Sequence, residues 1–176
     1  MVQALALEDG WHYDLASLLS QIGRVALPPG LIGKIVRGEV LTHTEQQQFD
    51  GHPAIGARLL KLIPRLELVA EMVSQQRANM DSIDFQGKLD NAQRAALGGQ
   101  IIKVAIAFDR LLGQGLAEKA AIESLKQIPS EYDPLLVESL AIGTQRQWLE
   151  VLTLRSTSSS RGRSWTSRCA PPPACC

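Results

Sequence analysis

The side chain in this sequence that is best suited to chemistry is His52, which stands directly before Pro53. Arg77 follows it along the chain, and beyond that lie the carboxylates Asp81 and Asp84. Imidazole nitrogen and carboxylate oxygen bind divalent metals, which activate water for phosphoester hydrolysis. A guanidinium instead matches the geometry of a phosphate group. These residue types leave three roles open: a metal-dependent site, a metal-free phosphate contact at Arg77, and a structural role for His52 beside a helix break.

The C-terminal residues indicate no second site. Cys169, Cys175 and Cys176 have no histidine near them, so their spacing is a weak zinc pattern, and we expect no metal or other cofactor there. Residues 155–176 also hold four arginines and no acid, which leaves the rest of the chain mildly acidic. A mildly acidic body gives no electrostatic reason to expect nucleic-acid binding. The Ser, Arg, Pro and Cys composition of 155–176 predicts a disordered tail.

Composition predicts an all-α fold. Hydrophobic residues make up 45% of the chain and aromatic residues 5%, so the core must consist mainly of Leu, Ile, Val and Ala, which favour helices over a sandwich or barrel. No apolar run approaches the roughly 18 residues that a membrane span needs. Early acidic residues also argue against a signal peptide. We therefore expect no membrane contact, a cytoplasmic location and a compact bundle of six or seven helices.

Apolar spacing and capping residues place these helices. A capping box, Thr42 with Glu45, marks one helix start, and Asp133 before Pro134 marks another. Gly23 is expected to end the first helix in a left-handed conformation. Residues 31–41 contain two glycines and predict a short helical turn or an extended connector. The predicted helices are 11–21, 42–50 and 54–62 with a pause at 51–53, 64–79, 91–112, 116–128 and 133–154.

The order of these segments resembles the HD-GYP branch of the HD-domain phosphohydrolases, many of which are bacterial cyclic di-GMP phosphodiesterases. The resemblance extends from about Leu15 to Ile142 with spacing similar to that of the family. The matching segments are Leu18-Leu-Ser-Gln-Ile-Gly-Arg24, Val25-Ala-Leu-Pro28, Leu41-Thr-His-Thr-Glu45, His52-Pro-Ala-Ile-Gly56, Val73-Ser-Gln-Gln-Arg-Ala-Asn-Met-Asp81, Ile102-Lys-Val-Ala-Ile-Ala-Phe-Asp109 and Glu131-Tyr-Asp-Pro-Leu-Leu-Val137.

The resemblance implies a metal site whose ligands have mostly been replaced. Ser20 and Gln21 stand at the His-Asp pair, and neither neutral group balances a divalent charge. Gln76 and Arg77 stand at a pair of histidines, where an arginine repels metal. Ile106 stands at a late aspartate and has no ligating atom. His52 and Asp81 keep residue types of the family, so the vestigial positions are Ser20, Gln21, His52, Gln76, Arg77, Asp81 and Ile106.

The resemblance therefore favours a catalytically inactive signalling or protein-interaction module, similar to the output domain of a bacterial response regulator. We expect a protein partner, no catalytic residue and no cofactor. The alternatives are a phosphohydrolase with a rearranged site at His52, Asp81 and Asp84, and a metal-free sensor of a cyclic dinucleotide. The expected organisation is a lead-in over 1–10, the helical domain over 11–154 and the tail over 155–176. So few residues precede the first motif that we expect a separate chain or a truncated product without a receiver domain.

Overall fold

The computed structural model describes residues 1–5, 7–78 and 88–144, and the described residues are helical with no strand. Met1–Gly143 form one compact unit; of the second unit, Thr144–Cys176, Thr144 alone is described. The all-α prediction is confirmed. The helices are α1 (Trp11–Leu19), a 3₁₀ turn (Ile22–Ala26), α2 (Pro29–Arg37), α3 (His43–Leu60), α4 (Glu67–Ser74), α5 (Asn91–Gly113), α6 (Glu118–Lys126) and α7 (134–143 within this unit).

The longest of these helices, α5, lies at the centre and packs against α1, α4 and α6. Its contact with α4 is close because Gly98 and Gly99 have no side chain. A Cβ at Gly99 would lie 2.7 Å from the backbone oxygen of Gln75, and one at Gly98 would overlap Met72. The two glycines therefore bring the C-terminal end of α4 directly onto α5. The residues that follow α4 are held there, beside the middle of α5.

The predicted pause at 51–53 is wrong, because α3 continues through Pro53 as one helix. Proline has no N–H, so it leaves the carbonyl of Phe49, four residues earlier, without its helical hydrogen bond. The ring Nδ1 of His52 contacts this same carbonyl oxygen and supplies the missing donor. The predicted capping box does open α3: Thr42 Oγ1 accepts from the backbone N of Glu45 at 3.3 Å, and Glu45 Oε2 accepts from the backbone N of Thr42 at 2.9 Å.

Residues 29–37 form a helix, where the sequence predicted a turn or connector. Pro29 occupies the first turn and Gly38, with φ 67°, ends the helix, so these two residues set its bounds despite the internal Gly30 and Gly33. The helix predicted to start at Pro64 begins instead at Glu67, after Arg65, whose φ of 73° interrupts helical geometry. As predicted, Asp133 caps α7: its Oδ1 accepts from the backbone N of Leu135 at 2.8 Å.

The three- and four-residue spacing of Leu15, Leu18, Leu19 and Ile22 predicts one buried face for the first helix. Leu15, Leu19 and Ile22 do pack against the core, but Leu18 is 80% exposed. Gly23 does not end this helix in a left-handed conformation, because it lies inside the 3₁₀ turn. Within the described residues, no helix combines the length and apolar character needed to cross a membrane.

Candidate functional site

A cavity of about 300 Å³ opens where the 3₁₀ turn, α3, the end of α4 and α5 meet. Its position depends on Gly23, which packs directly on the backbone of α3. A Cβ at Gly23 would lie 2.8 Å from the backbone nitrogen of Gly56 and would overlap the carbonyl oxygen of His52. The glycine thus lets the 3₁₀ turn sit against α3, so Gln21 and Arg24 face the same space as His52.

Most of the predicted vestigial positions line this cavity: Gln21, His52, Gln76, Arg77 and Ile106. These residues come from separate parts of the chain and meet only in the folded structure. Ser20 is buried behind them, and its Oγ donates to the backbone oxygen of Ser17 at 2.8 Å. Asp81 lies outside the described residues, as does Asp84.

The side-chain amides of Gln21 and Gln76 lie within hydrogen-bonding distance of each other. Gln76 is buried, and its Nε2 donates to the backbone oxygen of Ser20 at 3.1 Å. Gln21 Nε2 lies 3.3 Å from Ser20 Oγ and 3.5 Å from Gln76 Oε1. These bonds join the first helix to the end of α4 without a metal ion. In the described part of the chain, Gln21 Oε1 is buried and has no hydrogen-bond partner.

His52 is buried and held in one orientation. Because the Phe49 carbonyl can only accept a hydrogen bond, ring Nδ1 must carry a proton, and the neutral ring then has its lone pair at Nε2. No described group bonds to Nε2, which is buried. Burial lowers the pKa of the imidazole; the bond to Phe49 opposes this, and the charges of Arg24 and Arg77 lower the pKa further.

Cationic side chains surround this imidazole. Both guanidinium carbons lie over the ring of Phe49, at 5.5 Å for Arg24 and 5.1 Å for Arg77 from its centroid. Arg77 also forms an ion pair with Asp50. Burial and the nearby charge of Arg77 lower the pKa of Arg24, while the carboxylate of Asp109 opposes both effects. Arg24 Nε is buried without a partner among the described residues.

The family model described as HD domain matches residues 1–136 of the chain. This match covers more than half of the sequence. The chain belongs to the HD-domain family. No curated protein and no solved structure matches it.

The residues in the cavity of this HD domain do not fit a multinuclear metal centre. Imidazole Nε2 of His52 is a suitable ligand atom, and Glu131 supplies a carboxylate elsewhere on the wall. Yet no group of three His, Cys, Asp or Glu residues that could hold a metal ion occurs in ranges 1–5, 7–78 and 88–144. The guanidiniums of Arg24 and Arg77, which carry fixed charges, would repel a cation beside His52. Beside His52 the wall offers glutamine amides and arginines, whereas a multinuclear centre needs several imidazole or carboxylate ligands.

Sequence reasoning missed most of the cations of the cavity. Arg24, Lys103 and Arg110 line it together with the predicted Arg77. Lys103 and Arg110 lie three residues before and four residues after Ile106, so all of them share one face of α5. That spacing is visible in the sequence. Once Ile106 is placed in the site, this spacing predicts that Lys103 and Arg110 also line it.

The remaining walls are aromatic and acidic. Phe49, Tyr132 and Glu131 line the cavity. Lys103 Nζ lies 5.8 Å from the centroid of the Tyr132 ring. The segment Glu131–Val137 supported the family resemblance, but sequence reasoning gave Glu131 and Tyr132 no role in the site. The structure places both on the wall of the cavity that the arginines also line.

Proposed function

We propose that this chain is a non-catalytic HD domain of the HD-GYP type, which acts as a signalling or protein-interaction module. Its nearest functional counterpart is the output domain of a bacterial response regulator. The proposal is supported by a cavity whose wall lacks the expected ligands: Gln21, Gln76, Arg77 and Ile106 contribute neither an imidazole nor a carboxylate to the space beside His52.

Loss of ligands on this scale removes catalysis for a physical reason. A metal-dependent phosphodiesterase needs its ions to generate hydroxide and to stabilise charge on the phosphoryl group. Loss of one ligand or of its hydrogen-bonded support commonly lowers metal affinity or activity about 10- to 100-fold. Several ligands are replaced here, and Arg24 and Arg77 add positive charge at the same place. We therefore expect neither stable metal binding nor hydrolysis.

A role in protein interaction is supported by apolar side chains exposed in the first third of the chain. Leu18, Val25, Val36 and Val40 are 80%, 76%, 79% and 93% exposed. Large exposed apolar groups near each other are typical of protein contact surfaces. Leu18 and Val25 precede α2, Val36 lies within it and Val40 follows it, which makes them candidate contacts for a partner protein.

Metal content and phosphodiesterase activity test the proposal together. The protein is purified without chelator, analysed for Mn, Fe and Zn, and assayed with bis(p-nitrophenyl) phosphate plus Mn²⁺. We expect metal well below one ion per chain and no turnover above buffer. Stoichiometric metal together with turnover that His52→Ala abolishes would refute it. Such a result would support the rearranged phosphohydrolase, in which His52 acts with Asp81 and Asp84.

A second candidate function, a metal-free nucleotide sensor, is favoured by the charge of the cavity. Among the described residues that line it are four cationic side chains: Arg24, Arg77, Lys103 and Arg110. Phosphate-bearing ligands are the anions that such groups recognise most often. A cyclic dinucleotide is one such ligand. Calorimetry with cyclic di-GMP tests this function, and absence of heat at millimolar ligand would argue against it.

A further inference from the structure

We propose that Arg24 and Arg77 together bind the phosphate group of a small phosphorylated ligand, at the place where relatives of this fold would hold metal. The inference rests on the proposed function, because it requires a cavity without metal ions. It goes further by naming the contacts and the chemical class of the ligand.

The first support is an excess of positive charge in a confined space. Described residues contribute four cations to the wall and one carboxylate, Glu131. Two more acids act nearby: Asp50 pairs with Arg77, and Asp109 interacts with Arg24. Residues outside 155–176 are acidic on balance, so this concentration of cations is a local feature. A concave cationic surface raises the local concentration of anions.

The second support is that folding holds the two guanidiniums near each other. Both lie over the ring of Phe49, and the charge of Arg77 disfavours the protonated form of Arg24. Like charges at close range raise the free energy of the folded protein. A phosphate that contacts both guanidiniums would offset the repulsion that Asp50 and Asp109 leave uncompensated. The arrangement therefore resembles a binding site that lacks its ligand.

The third support is a buried guanidinium N–H group that has no hydrogen-bond partner in the described chain. Arg24 Nε is a buried N–H group without a hydrogen-bond partner in the described chain. Buried donors are nearly always satisfied in folded proteins, so an unsatisfied one calls for a reason. Guanidinium groups bind phosphate through pairs of parallel N–H groups. A phosphate oxygen at Arg24 Nε would supply the missing acceptor.

The size of the cavity limits the ligand. A volume of about 300 Å³ lies at the lower end of the range for small-molecule sites, which is about 300–1,000 Å³. It accommodates a phosphate with a small organic group more readily than a dinucleotide. The rings of Phe49 and Tyr132 on its wall would contact that organic group. A small aromatic phosphomonoester is therefore a suitable probe.

Calorimetry with inorganic phosphate and with phenyl phosphate tests the inference, on chelator-treated protein at constant ionic strength. We expect saturable binding of both, with phenyl phosphate the tighter. Arg24→Gln and Arg77→Gln should each weaken binding about tenfold or more, since a hydrogen bond to a charged group is worth roughly 1.5–3 kcal/mol. Arg58→Gln removes the same charge from an exposed position on α3 and should change affinity less than twofold.

NMR keeps the inference testable if an arginine variant fails to fold. The buried Nε–H of Arg24 should give a resolved ¹⁵N–¹H signal in the wild-type protein. Phosphate should shift this signal along a saturable curve with the calorimetric affinity. The inference is overturned by absence of binding at millimolar phosphate, by an unmoved Arg24 signal, or by equal losses in Arg77→Gln and Arg58→Gln.

Adding Mn²⁺ separates failure of this inference from failure of the proposed function. Phosphate that binds only when Mn²⁺ is present would show a working metal site, and both proposals would then be wrong. Absence of phosphate binding with and without Mn²⁺, in protein that binds no Mn²⁺, would overturn the phosphate site alone.

Discussion

The two halves of α3 differ in how their polar groups are satisfied. At the N-terminal end, Glu45 accepts hydrogen bonds from Thr42 and forms an ion pair with Lys34 Nζ at 2.7 Å. In the middle, at the cavity, His52 Nε2 and the neighbouring Arg24 Nε have no hydrogen-bond partner among the described residues. Both regions include residues of α3. They differ in whether the folded chain supplies hydrogen-bond partners for their polar groups.

This difference distinguishes polar groups that stabilise the fold from polar groups that the fold leaves without a hydrogen-bond partner. Stability alone explains the capping box, because each of its groups gains a partner on folding. Stability does not explain the buried polar atoms Gln21 Oε1, Arg24 Nε and His52 Nε2, which have no hydrogen-bond partner among the described residues, since an unsatisfied buried polar atom raises the free energy of the folded state. Departures of this kind are typical of functional sites. The cavity is therefore where a ligand should act.

The largest effect is expected where the 3₁₀ turn packs on α3. Gly23→Ala would place a Cβ against the backbone of His52 and Gly56, and backbone atoms cannot move aside without separating the two elements. We expect the free energy of unfolding to fall by about 3 kcal/mol, as measured by urea denaturation.

The matched control for that change is a glycine of α3, the helix on which the 3₁₀ turn packs. Nothing would lie within 4 Å of a Cβ at Gly51. Gly51→Ala should therefore raise stability by up to about 1 kcal/mol, because alanine favours helix. Equal effects of the two substitutions would contradict the close packing of turn and helix.

A smaller effect is expected at the hydrogen bond that lets α3 pass through Pro53. His52→Ala removes the donor to the Phe49 carbonyl and should cost about 1–3 kcal/mol, because that acceptor is left unsatisfied. Pro53→Ala restores a backbone N–H for the same carbonyl. In the Pro53→Ala background, His52→Ala should cost about 1 kcal/mol less. A double-mutant cycle measures the coupling, and a value of zero would show that His52 does not compensate for the proline.

Removing one positive charge should change stability in opposite directions at the cavity and at the cap of α3. Arg24→Met keeps an unbranched stem and removes repulsion with Arg77, so we expect stability to rise by about 0.5 kcal/mol after solvent screening. Lys34→Met breaks the ion pair with Glu45 and should lower stability slightly. Thermal denaturation at low salt measures both. A loss of stability in Arg24→Met equal to that in Lys34→Met would mean that the cavity is no more strained than the cap.

The smallest effect is expected from acid at the cap. Hydrogen bonds from Lys34 and Thr42 lower the pKa of Glu45 to about 2. Since the folded carboxyl binds its proton less readily than the unfolded one, its contribution is present above the unfolded pKa of about 4.3. It is lost as the pH falls from about 4.5 towards 2. Wild type and Glu45→Gln should therefore converge in stability across this window, and a constant difference would exclude the assigned partners.

How far the structure could be predicted differs between these regions. Capping residues such as Thr42 and Asp133 act locally, so their helix starts could be predicted from sequence. The course of α3 through Pro53 could not, because it depends on a side-chain bond from His52 to a carbonyl that periodicity does not reveal. The bounds of α2 depend on Pro29 and Gly38, whereas sequence reasoning gave more weight to the glycine within it.

Part of the site could be predicted from family resemblance and not from local sequence patterns. Gln21, His52, Gln76, Arg77 and Ile106 could be grouped through family resemblance, which carries three-dimensional information that local patterns lack. Arg24, Lys103 and Arg110 have no counterpart in the expected ligand set, so the resemblance gave no reason to select them. Their role depends on the relative placement of the 3₁₀ turn and α5, which the glycines at 23, 98 and 99 determine.

The most direct measurement is a Mn²⁺ titration followed by the ¹⁵N–¹H signals of Arg24 Nε and the ring of His52. Mn²⁺ is paramagnetic and broadens signals of nuclei close to it. If amides and guanidiniums have replaced the metal ligands, both signals should keep their intensity through several equivalents of Mn²⁺. Their loss at less than one equivalent would place a metal ion in the cavity and contradict the replacement of its metal-binding function.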